Sequence, residues 1–421
     1  MQVNPFLRAF YHFCRILAYI GSRVYFRRLA VLGKENLVHV KGPVIIVVNH
    51  PSTLMDVLLP GAYIPRVMFF LANYGLFKNP VSGWIFSRLY CIPVKRKEDV
   101  AEGEERDNDN AFEMSFEHLI KGGALFIAPE GVSYMNRYIR PLKTGTARIG
   151  LGAEARNAGN LGLKILPIGL SYNSPHLFRS NAVMRVGTPI QVADWLPAWR
   201  ENVPATVDQL TQHIENQLKI LSIHTDDEEG EVFITRLETM LHTTDPLPLT
   251  AEYHRTQERI KKDLNNSNLR EKTGQYFETL QAKGIDDNVV AGQFTAIQGL
   301  VLLLGWPLLL PAFLFWALPC YLPYLLNKKL NLYIGYSSTV KVVAGIFFMM
   351  PLMLWIVWHF GKPFYTAFWH YPAVLIGFLL LGLFAEYYLD CWRAMLDRRK
   401  RKLLPAADLL NLQKWRATII G

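Results

Sequence analysis

Cysteine is scarce in this chain of 421 residues. The four cysteines are Cys14, Cys91, Cys320 and Cys391. Their wide spacing matches neither a disulfide framework nor a zinc site, which agrees with a reducing compartment. The sequence also lacks internal repeats and low-complexity tracts. No secretory signal peptide is recognisable, because arginines interrupt the N-terminal apolar stretch and no cleavage site follows it.

Acidic residues are fewer than basic ones, with 35 Asp and Glu against 45 Lys and Arg, which gives a formal net charge of +10. Such a balance implies an anionic partner: nucleic acid, a membrane surface or a phosphorylated substrate. Hydrophobic residues reach 51%, and they are concentrated towards the C-terminus. Because basic residues alternate with long apolar segments, we expect membrane lipids as partners and no nucleic acid.

The N-terminal segment, residues 1–33, carries a regular apolar stripe. Six large apolar side chains recur at alternating steps of four and three residues, which places them on one face of a helix. They are Phe6, Phe10, Phe13, Leu17, Ile20 and Val24. Arginines interrupt the segment too often for a membrane span. Two interpretations stay open: a helix in the membrane interface with arginines at lipid phosphates, or an ordinary amphipathic helix packed on the domain.

Residues 34–197 alternate between short apolar runs and helix-like stretches. The expected strands are Val44–Val48, 67–71, 124–128, 164–170 and 182–186. Helical patterns lie between them, for example at 111–121 and 144–158. This alternation predicts an α/β domain with a mixed sheet flanked by helices on both faces. The polar region at 198–295 is expected to be helical, and no chemistry is assigned to it.

Long apolar segments follow the polar region. Residues 296–327 are almost wholly apolar but contain four prolines, at 307, 311, 319 and 323. Residues 340–359 and 367–389 are each about 20 residues long, enough to cross the hydrocarbon core of a bilayer. These two segments are therefore predicted to be transmembrane helices.

The distribution of charge predicts a topology for these segments. Lys328 and Lys329 follow the proline-rich segment, and a basic run at 398–402 follows the last apolar one. The positive-inside rule puts both clusters, and the tail at 390–421, in the cytoplasm together with the α/β domain. Two spans satisfy this rule if residues 296–327 form a re-entrant hairpin or lie in the membrane interface. That arrangement is predicted.

A polar octet at 49–56, Asn-His-Pro-Ser-Thr-Leu-Met-Asp, directly follows the run Val44–Val48. The run predicts a strand buried on both faces, and such strands carry functional groups at their carboxyl ends. His50 lies at that end, and Asp56 comes within reach if Pro51 opens a turn. A carboxylate on one ring nitrogen fixes the tautomer and leaves the other nitrogen free to take a proton. This pair alone does not exclude a structural histidine beside a capping asparagine.

Three further blocks follow the octet. One is the strand-like run at 91–97, which ends in Lys95-Arg96-Lys97. The next is 125–133, which ends in Pro129-Glu130-Gly131-Val132-Ser133 and is followed by Arg140-Pro141-Leu142-Lys143. The last is 165–170, around Pro167. In this order and at these intervals the blocks resemble the glycerolipid acyltransferase family, which includes glycerol-3-phosphate and lysophosphatidate acyltransferases. The resemblance covers residues 38–190.

The resemblance implies a role for each block. His50 would be the general base and Asp56 its orienting partner. The implied substrate-binding residues are Arg96 for the acceptor phosphate, Glu130 and Gly131 for the acceptor-binding turn, and Pro167 in the block that lines the acyl-donor site. No cofactor or metal is implied, because the acyl donor, acyl-coenzyme A or acyl-carrier protein, is a substrate.

The spacing within the octet departs from the common family pattern. Five residues separate His50 from Asp56, whereas four are usual in the family. The longer spacing resembles a branch that includes fungal-type glycerol-3-phosphate/dihydroxyacetone-phosphate acyltransferases. The first acylation, on glycerol 3-phosphate or dihydroxyacetone phosphate, is therefore the expected reaction, and lysophosphatidate is the alternative acceptor.

A second departure concerns the acceptor block. Ser133, which is also expected to bind substrate, stands two residues after Gly131, where the family normally has arginine. A phosphate still needs cationic donors, so Arg137, Arg140 or Lys143 is expected to supply the charge.

The residue types support this chemistry independently of the resemblance. Acyl transfer from a thioester to a hydroxyl needs a base that removes the hydroxyl proton as attack proceeds. A serine hydrolase using Ser52 or Ser133 is disfavoured, because no Gly-x-Ser-x-Gly motif occurs. The alternative from another class is an inactive membrane scaffold or lipid-binding protein. The sequence predicts an integral membrane enzyme with its catalytic domain on the cytoplasmic side.

Overall fold

The computed structural model describes residues 4–38, 41–95, 108–292, 294–331, 333–362 and 370–421. The chain forms two compact units. The first comprises Met1–Asp226 and the short segment Ile334–Ser338, and the second comprises Asp227–Tyr333 and Thr339–Gly421. The first unit contains the predicted α/β domain and extends beyond its predicted limits at residues 34 and 197.

An eight-stranded sheet forms the centre of the first unit. Its strands are β1 (Arg28–Leu32), β2 (Val44–Val48), β3 (Met68–Asn73), β4 (Cys91–Val94), β5 (Ala124–Ile127), β6 (Lys164–Tyr172), β7 (Asn181–Val186) and β8 (Ile190–Gln191). The order is β1-β7-β6-β2-β5-β3-β4, and β8 also pairs with β6. β2 pairs in parallel with β5 and β6, whereas β6 and β7 are antiparallel. The predicted mixed sheet is confirmed.

The central position of β2 follows from its sequence. All five of its residues are buried, as expected for an uninterrupted β-branched run covered on both faces. The register aligns Val47 with Ile127 of β5 and with Pro167 of β6. Because β2 and β5 are parallel, the residues that follow these two strands meet at the same edge of the sheet.

Helices accompany the sheet in the first unit. They are α1 (Pro5–Tyr25), α2 (Glu35–Val38), α3 (Met55–Tyr63), α4 (Pro80–Arg88), α5 (Asp109–Ile120), α6 (Gly145–Arg156), α7 (Leu196–Glu201) and α8 (Val203–Leu221). α8 packs on β6, and its apolar residues at steps of four, Leu210, Ile214 and Leu218, belong to the core of the sheet. Residues 198–226 are therefore part of the first unit, in contrast to the predicted boundary at 197.

The N-terminal segment differs from its prediction in its last residues. Residues 28–32 form β1, which pairs in parallel with β7 and so belongs to the sheet. α1 packs on α3 and buries Ala18, Ser22 and Tyr25. Five of the six residues of the predicted apolar stripe are exposed: Phe6, Phe10, Phe13, Ile20 and Val24. The stripe is therefore not the face that packs on the domain.

Helices make up most of the described chain from residue 228 onward. Its helices are α9 (Glu228–Thr244), α10 (Leu249–Asp263), α11 (Ser267–Ala282), α12 (Asp287–Ala291), α13 (Ala296–Leu330), α14 (Ser337–Ala344), α15 (Met350–Gly361), α16 (His370–Leu403) and α17 (Ala406–Ile420). Phe233, Tyr276 and Leu412 belong to a core shared by α9, α11 and α17. Arg416 Nε forms a buried ion pair with Asp287 Oδ1 at 2.8 Å, which fixes α17 to α12.

The proline-rich segment forms one continuous helix, α13, so the predicted re-entrant hairpin is wrong. The helix begins with a capping box between Thr295 and Gln298 and ends before Asn331, whose backbone is left-handed. Its four prolines form two pairs, 307 with 311 and 319 with 323, and the two members of each pair lie about 40° apart around the helix axis. Proline within apolar helices is tolerated when local adjustment and neighbouring helices satisfy the freed backbone groups.

Among the described residues, three helical stretches are long and apolar enough to cross a membrane. They are Ala296–Leu314, Ile334–His359 and His370–Leu403. In the second stretch, α14 and α15 are joined by a π-helical turn at Gly345–Met349. The predicted segments at 340–359 and 367–389 are thus helical where they are described; residues 363–369 lie outside the described part of the chain.

α13 and α16 pack against each other in opposite directions. Trp316 Nε1 donates to the carbonyl of Phe378 at 2.9 Å, and the Arg398 guanidinium lies over the ring of Phe294, just before α13 begins. Lys328 is near the other end of α13, so it is about 50 Å from Arg398 along the helix pair. This packing puts Lys328 and Arg398 at opposite ends of the helix pair. The predicted arrangement, with both basic clusters on one side of a membrane, stays a prediction.

Candidate active site

His50 follows β2 at the carboxyl edge of the sheet, and its ring faces Asp56. The distance from His50 Nδ1 to Asp56 Oδ2 is 2.9 Å. The Asp56 side chain is fully buried, whereas 18% of the His50 side chain is exposed. The structure therefore brings together the two residues predicted for catalysis and leaves the imidazole accessible.

Two donors hold the Asp56 carboxylate. Besides His50, the backbone N–H of Ser52 donates to Asp56 Oδ2 at 2.6 Å. Burial raises the pKa of Asp56, and the hydrogen bonds from His50 and Ser52 oppose that shift. Because a carboxylate oxygen accepts, we assign the imidazole proton to Nδ1. This tautomer leaves the lone pair of Nε2 available for a proton from a substrate.

A tight turn connects the two residues and leads into α3. Asp56 lies in the first turn of that helix, where the helix dipole favours a carboxylate. Thr53 has a φ of 46°, in the left-handed region that β-branched residues disfavour. Its N–H donates to Ser133 Oγ at 3.0 Å. In the structure Ser133 thus supports the turn, and its contact with substrate stays a prediction.

Glu130 connects the turn to the acceptor block. Its Oε1 accepts from the backbone N–H of His50 at 2.8 Å, and its Oε2 accepts from that of Arg140 at 3.2 Å. The side chain is buried, and burial raises the pKa of Glu130, while the two backbone donors oppose the shift. Glu130 therefore holds the backbone at His50 and the backbone at Arg140 together.

Gly131 allows a lysine to approach the same turn. Its φ of 75° favours glycine, and a Cβ at this position would lie only 2.8 Å from Nζ of Lys143. Lys143 is exposed, and no ion-pair partner is found for it among the described residues. Its ammonium group is therefore available beside the Glu130–Gly131 turn.

Arg140 is held differently from Lys143. Its guanidinium lies 3.5 Å from the centroid of the Tyr134 ring, and one of its terminal nitrogens donates to the hydroxyl of Tyr138 at 2.9 Å. Its Nε is buried without a hydrogen-bond partner in the described part of the chain. Of the three cations predicted to replace the family's arginine, Lys143 thus lies on the acceptor turn and Arg140 is stacked on tyrosine. Arg137 lies in the same loop.

The structure adds little about two of the predicted substrate-binding residues, Pro167 and Arg96. Pro167 is buried inside β6, where its carbonyl accepts from the N–H of Gly187 at 2.8 Å. It lies where the pairing of β6 changes from β8 to β7. Its predicted place in the acyl-donor site stays a prediction. Arg96 lies outside the described residues.

Sequence reasoning missed several residues that hold the site. Asn49 exchanges two hydrogen bonds with the backbone of Leu170, at 2.9 and 2.7 Å, and so joins the end of β2 to β6. A polar residue directly after a buried strand was an available signal for this role. Ser52 Oγ lies 3.1 Å from Ser338 Oγ, 286 positions away, and no local pattern indicates that contact.

These contacts also bear on the serine-hydrolase alternative. The Ser52 hydroxyl pairs with Ser338, and the Ser133 hydroxyl accepts from the backbone of Thr53. A nucleophilic serine would instead have its hydroxyl hydrogen-bonded to the imidazole. Both serines therefore support the turn that carries His50.

Part of this chain resembles known proteins. Residues 28–171 match the family model described as Acyltransferase. The chain is 30% identical over 196 residues to glycerol-3-phosphate O-acyltransferase 1 of Saccharomyces cerevisiae, covering 44% of this chain and 26% of the yeast protein. It is 27% identical over 167 residues to the 1-acyl-sn-glycerol-3-phosphate acyltransferase LPAT1, chloroplastic, of Arabidopsis thaliana, covering 40% and 42% of the two chains.

The extent of these matches is limited. The chain spans about a quarter of the length of the yeast relatives that it matches. A solved structure, the 1-acyl-sn-glycerophosphate acyltransferase PlsC of Thermotoga maritima, aligns with 48% of this chain and 79% of its own at a TM-score of 0.33 and 18% identity, too low to support a conclusion. The family match nevertheless contains the octet and the three later blocks. The resemblance is confirmed: residues 28–171 match the Acyltransferase family model, and the relatives named above are glycerol-3-phosphate and 1-acyl-sn-glycerol-3-phosphate acyltransferases.

Proposed function

We propose that this chain is a membrane-associated O-acyltransferase that moves a fatty acyl group from an acyl thioester to a hydroxyl of glycerol 3-phosphate or dihydroxyacetone phosphate. One observation carries the proposal: a buried carboxylate holds Nδ1 of an accessible histidine at 2.9 Å, which leaves Nε2 as a base. The five-residue spacing favours the first acylation. So do the names of the two yeast relatives, both glycerol-3-phosphate O-acyltransferases.

The reaction needs no covalent enzyme intermediate, because the acceptor oxygen is itself the nucleophile. His50 Nε2 removes the hydroxyl proton as the oxygen attacks the thioester carbonyl. The new C–O bond forms, the C–S bond breaks, and the departing thiolate takes the proton from the imidazolium. Asp56 orients the ring and stabilises the imidazolium while it exists.

Positive charge beside the base favours a phosphorylated acceptor. Lys143 lies over Gly131, and the adjacent Glu130 is bonded to the backbone of His50. The base and the cation therefore share one short piece of structure, which suits a small acceptor with a hydroxyl and a phosphate. We assign the phosphate to Lys143, with Arg140 beside it, and Arg96 remains a predicted ligand.

Lysophosphatidate is the second candidate acceptor. The Arabidopsis relative is named for 1-acylglycerol-3-phosphate, which carries the same phosphate and one fewer free hydroxyl. The base and the cation would act on it in the same way. Lysophosphatidate differs from glycerol 3-phosphate by its acyl chain, so assays with a panel of acceptors distinguish the two activities.

The test uses purified full-length wild type and His50→Ala. Each protein receives radiolabelled acyl-coenzyme A or acyl-carrier protein, with glycerol 3-phosphate, dihydroxyacetone phosphate or lysophosphatidate as acceptor. We expect labelled lysophosphatidate from glycerol 3-phosphate, with a loss of about 10²–10⁴-fold in His50→Ala. Activity on lysophosphatidate alone would assign the second acylation. Equal product from both proteins would exclude His50 as the base, and no product with any acceptor would favour the inactive alternative.

We further propose that the apolar helices and the exposed stripe of α1 attach the chain to a membrane, with the first unit on the cytoplasmic side. In a cysteine-free background, an impermeant thiol reagent should label Leu177→Cys, at an exposed site of the first unit, only from the cytoplasmic side. Labelling from the opposite side would overturn the orientation.

Lys328→Cys and Arg399→Cys test the placement of α13 and α16. If the two thiols are labelled from opposite sides, both helices cross the membrane; if they are labelled from one side, both lie along its surface.

A further inference from the structure

The short segment Ile334–Ser338 is separated in sequence from the rest of the first unit, yet it contacts the catalytic turn. Ser338 Oγ lies 3.1 Å from Ser52 Oγ, and the carbonyl of Gly335 accepts from Thr53 Oγ1 at 3.1 Å. The side chains of Ser52 and Ser338 are both buried. Because water does not reach these groups, the Ser52 hydroxyl depends on Ser338 for its hydrogen bond, and the Ser338 hydroxyl in turn donates to the carbonyl of Gly335 at 3.5 Å.

These two contacts act on the residues that set the geometry of the base. The N–H of Ser52 donates to the same Asp56 oxygen that holds His50. Thr53 keeps its left-handed backbone while Ser133 holds its N–H and Gly335 holds its hydroxyl. A disfavoured backbone of this kind persists only when its surroundings fix it. A shift of the Ser52–Thr53 peptide would therefore move the Asp56 carboxylate relative to the imidazole.

We propose that Ile334–Ser338 completes the acyltransferase site, with Ser338 and Gly335 as positioning residues that act through the Ser52–Thr53 turn on the Asp56–His50 hydrogen bond. This inference rests on the proposed function of His50 and Asp56. It gives the chain between α13 and α15 a role in the chemical step, in addition to membrane attachment. The five residues between His50 and Asp56 then have a structural role, because two of them, Ser52 and Thr53, supply the hydroxyls that contact Ile334–Ser338.

Kinetics of full-length variants test the positioning role. Ser338→Ala should lower kcat about three- to tenfold, the loss expected for one net hydrogen bond, while the KM values of donor and acceptor stay within about twofold. Ser52→Ala should behave in the same way. Because each hydroxyl acts through the other, the double variant should lose no more than either single variant. Wild-type kcat in Ser338→Ala, or losses that multiply in the double variant, would overturn the proposal.

A matched control separates positioning from general damage to the fold. Ser180 is also buried in the first unit, but its hydroxyl has no hydrogen-bond partner within the described residues. Ser180→Ala should keep the wild-type kcat, and all variants should unfold at similar temperatures in detergent. An equal loss of kcat in Ser180→Ala would show that any buried serine gives the effect and would overturn the specific role of Ser338.

A cross-link tests the docking of the segment without using activity. Ser52→Cys and Ser338→Cys, combined in a protein without its four native cysteines, place two thiols where the hydroxyl oxygens are 3.1 Å apart. Mild oxidation should join the two peptides, as mass spectrometry of a digest would detect, and reduction should separate them. Absence of the link would overturn the docking, whether or not the protein transfers acyl groups. A link together with wild-type kcat in Ser338→Ala would confirm the docking and exclude the positioning role. Because the cross-link does not depend on activity, this inference and the proposed function can fail separately.

Discussion

The two sides of the candidate site are built in different ways. On the base side, His50 and Asp56 are held by short hydrogen bonds, and Asp56 is fully buried. On the cation side, Lys143 is exposed, and Arg140 rests on the ring of Tyr134. A proton transfer needs a fixed distance between donor and acceptor, whereas a phosphate in a water-accessible site can be held by a flexible cation.

This contrast predicts a separation of kinetic effects. A residue that acts only as the proton moves should affect kcat and leave KM unchanged, because the ground-state complex does not use it. A residue that binds the phosphate in both the ground state and the transition state should mainly affect the KM of the acceptor. Substitutions on the two sides therefore give a direct test of the assignment.

Asp56→Asn is expected to have the largest effect. The amide cannot stabilise an imidazolium and favours the wrong tautomer, so kcat should fall about 10³–10⁴-fold with little change in either KM. Steady-state kinetics with varied donor and acceptor measure this. Asp208→Asn, at an exposed position of α8, is the matched control and should change neither kcat nor the KM values. An Asp56→Asn protein that keeps a tenth of the wild-type kcat would show that His50 does not depend on this carboxylate.

Lys143→Ala should have the next largest effect, on binding. A charge-assisted hydrogen bond contributes about 1.5–3 kcal/mol, which corresponds to an acceptor KM raised about 10- to 150-fold. The donor KM and kcat should change little. Lys121→Ala is the control, because Lys121 is exposed and paired with Glu117 at 3.2 Å. A rise in the donor KM instead would mean that the acceptor and donor sides of the pocket have been assigned the wrong way round.

The same contrast explains which parts of the site the sequence could predict. The run Val44–Val48 predicts the central strand because its burial requires apolar side chains throughout. The pair of His50 and Asp56 is local, so its contact follows from a single turn. The stacking of Arg140 on Tyr134 depends on the path of a loop, and no periodicity in the sequence specifies that path.

Long-range contacts and the continuity of α13 were harder to predict from the sequence. Ser338 meets Ser52 only because the chain returns after α13, and sequence separation hides such a contact. The prolines of residues 296–327 predicted a break, because proline disfavours helix interiors in water. The chain nevertheless remains helical through all four prolines. Inside a bilayer the end of a helix would be costly, because the exposed backbone groups would find no water. β1 was missed because a short edge strand next to a helix carries little pattern of its own.

Glu130→Gln should give a smaller and mixed effect, because Glu130 touches both sides. A glutamine oxygen can accept from the backbone at His50 or at Arg140, and its NH₂ group meets the other donor. One of these two backbone N–H groups is then left without an acceptor, so kcat should fall about tenfold and the acceptor KM should rise. A change in KM alone would restrict Glu130 to the cation side.

The same variant has a distinct pH dependence of stability. Burial raises the pKa of Glu130 above its ordinary value of 4.5, so the folded protein favours the protonated carboxyl. The contribution of this group to stability is therefore complete below that ordinary value and is lost as pH rises through the higher folded pKa. Glu130→Gln has no such proton. The unfolding temperature of the variant minus that of the wild type should accordingly increase as the pH rises above that ordinary value. A difference that stays constant or decreases would mean that the two backbone donors outweigh burial.

Tyr172→Phe should have the smallest effect. Tyr172 ends β6 in the interior, and burial together with the charge of Asp56 raises the pKa of its hydroxyl well above the ordinary value. Within the described residues, neither this hydroxyl nor Asp56 Oδ1 has a hydrogen-bond partner. Because Asp56 keeps its bonds to His50 and Ser52, kcat should fall by no more than about threefold, and removal of an unpaired buried hydroxyl should leave stability unchanged or slightly higher. A loss as large as that of Asp56→Asn would mean that the phenol bonds to Asp56 during the reaction and belongs to the base side of the site.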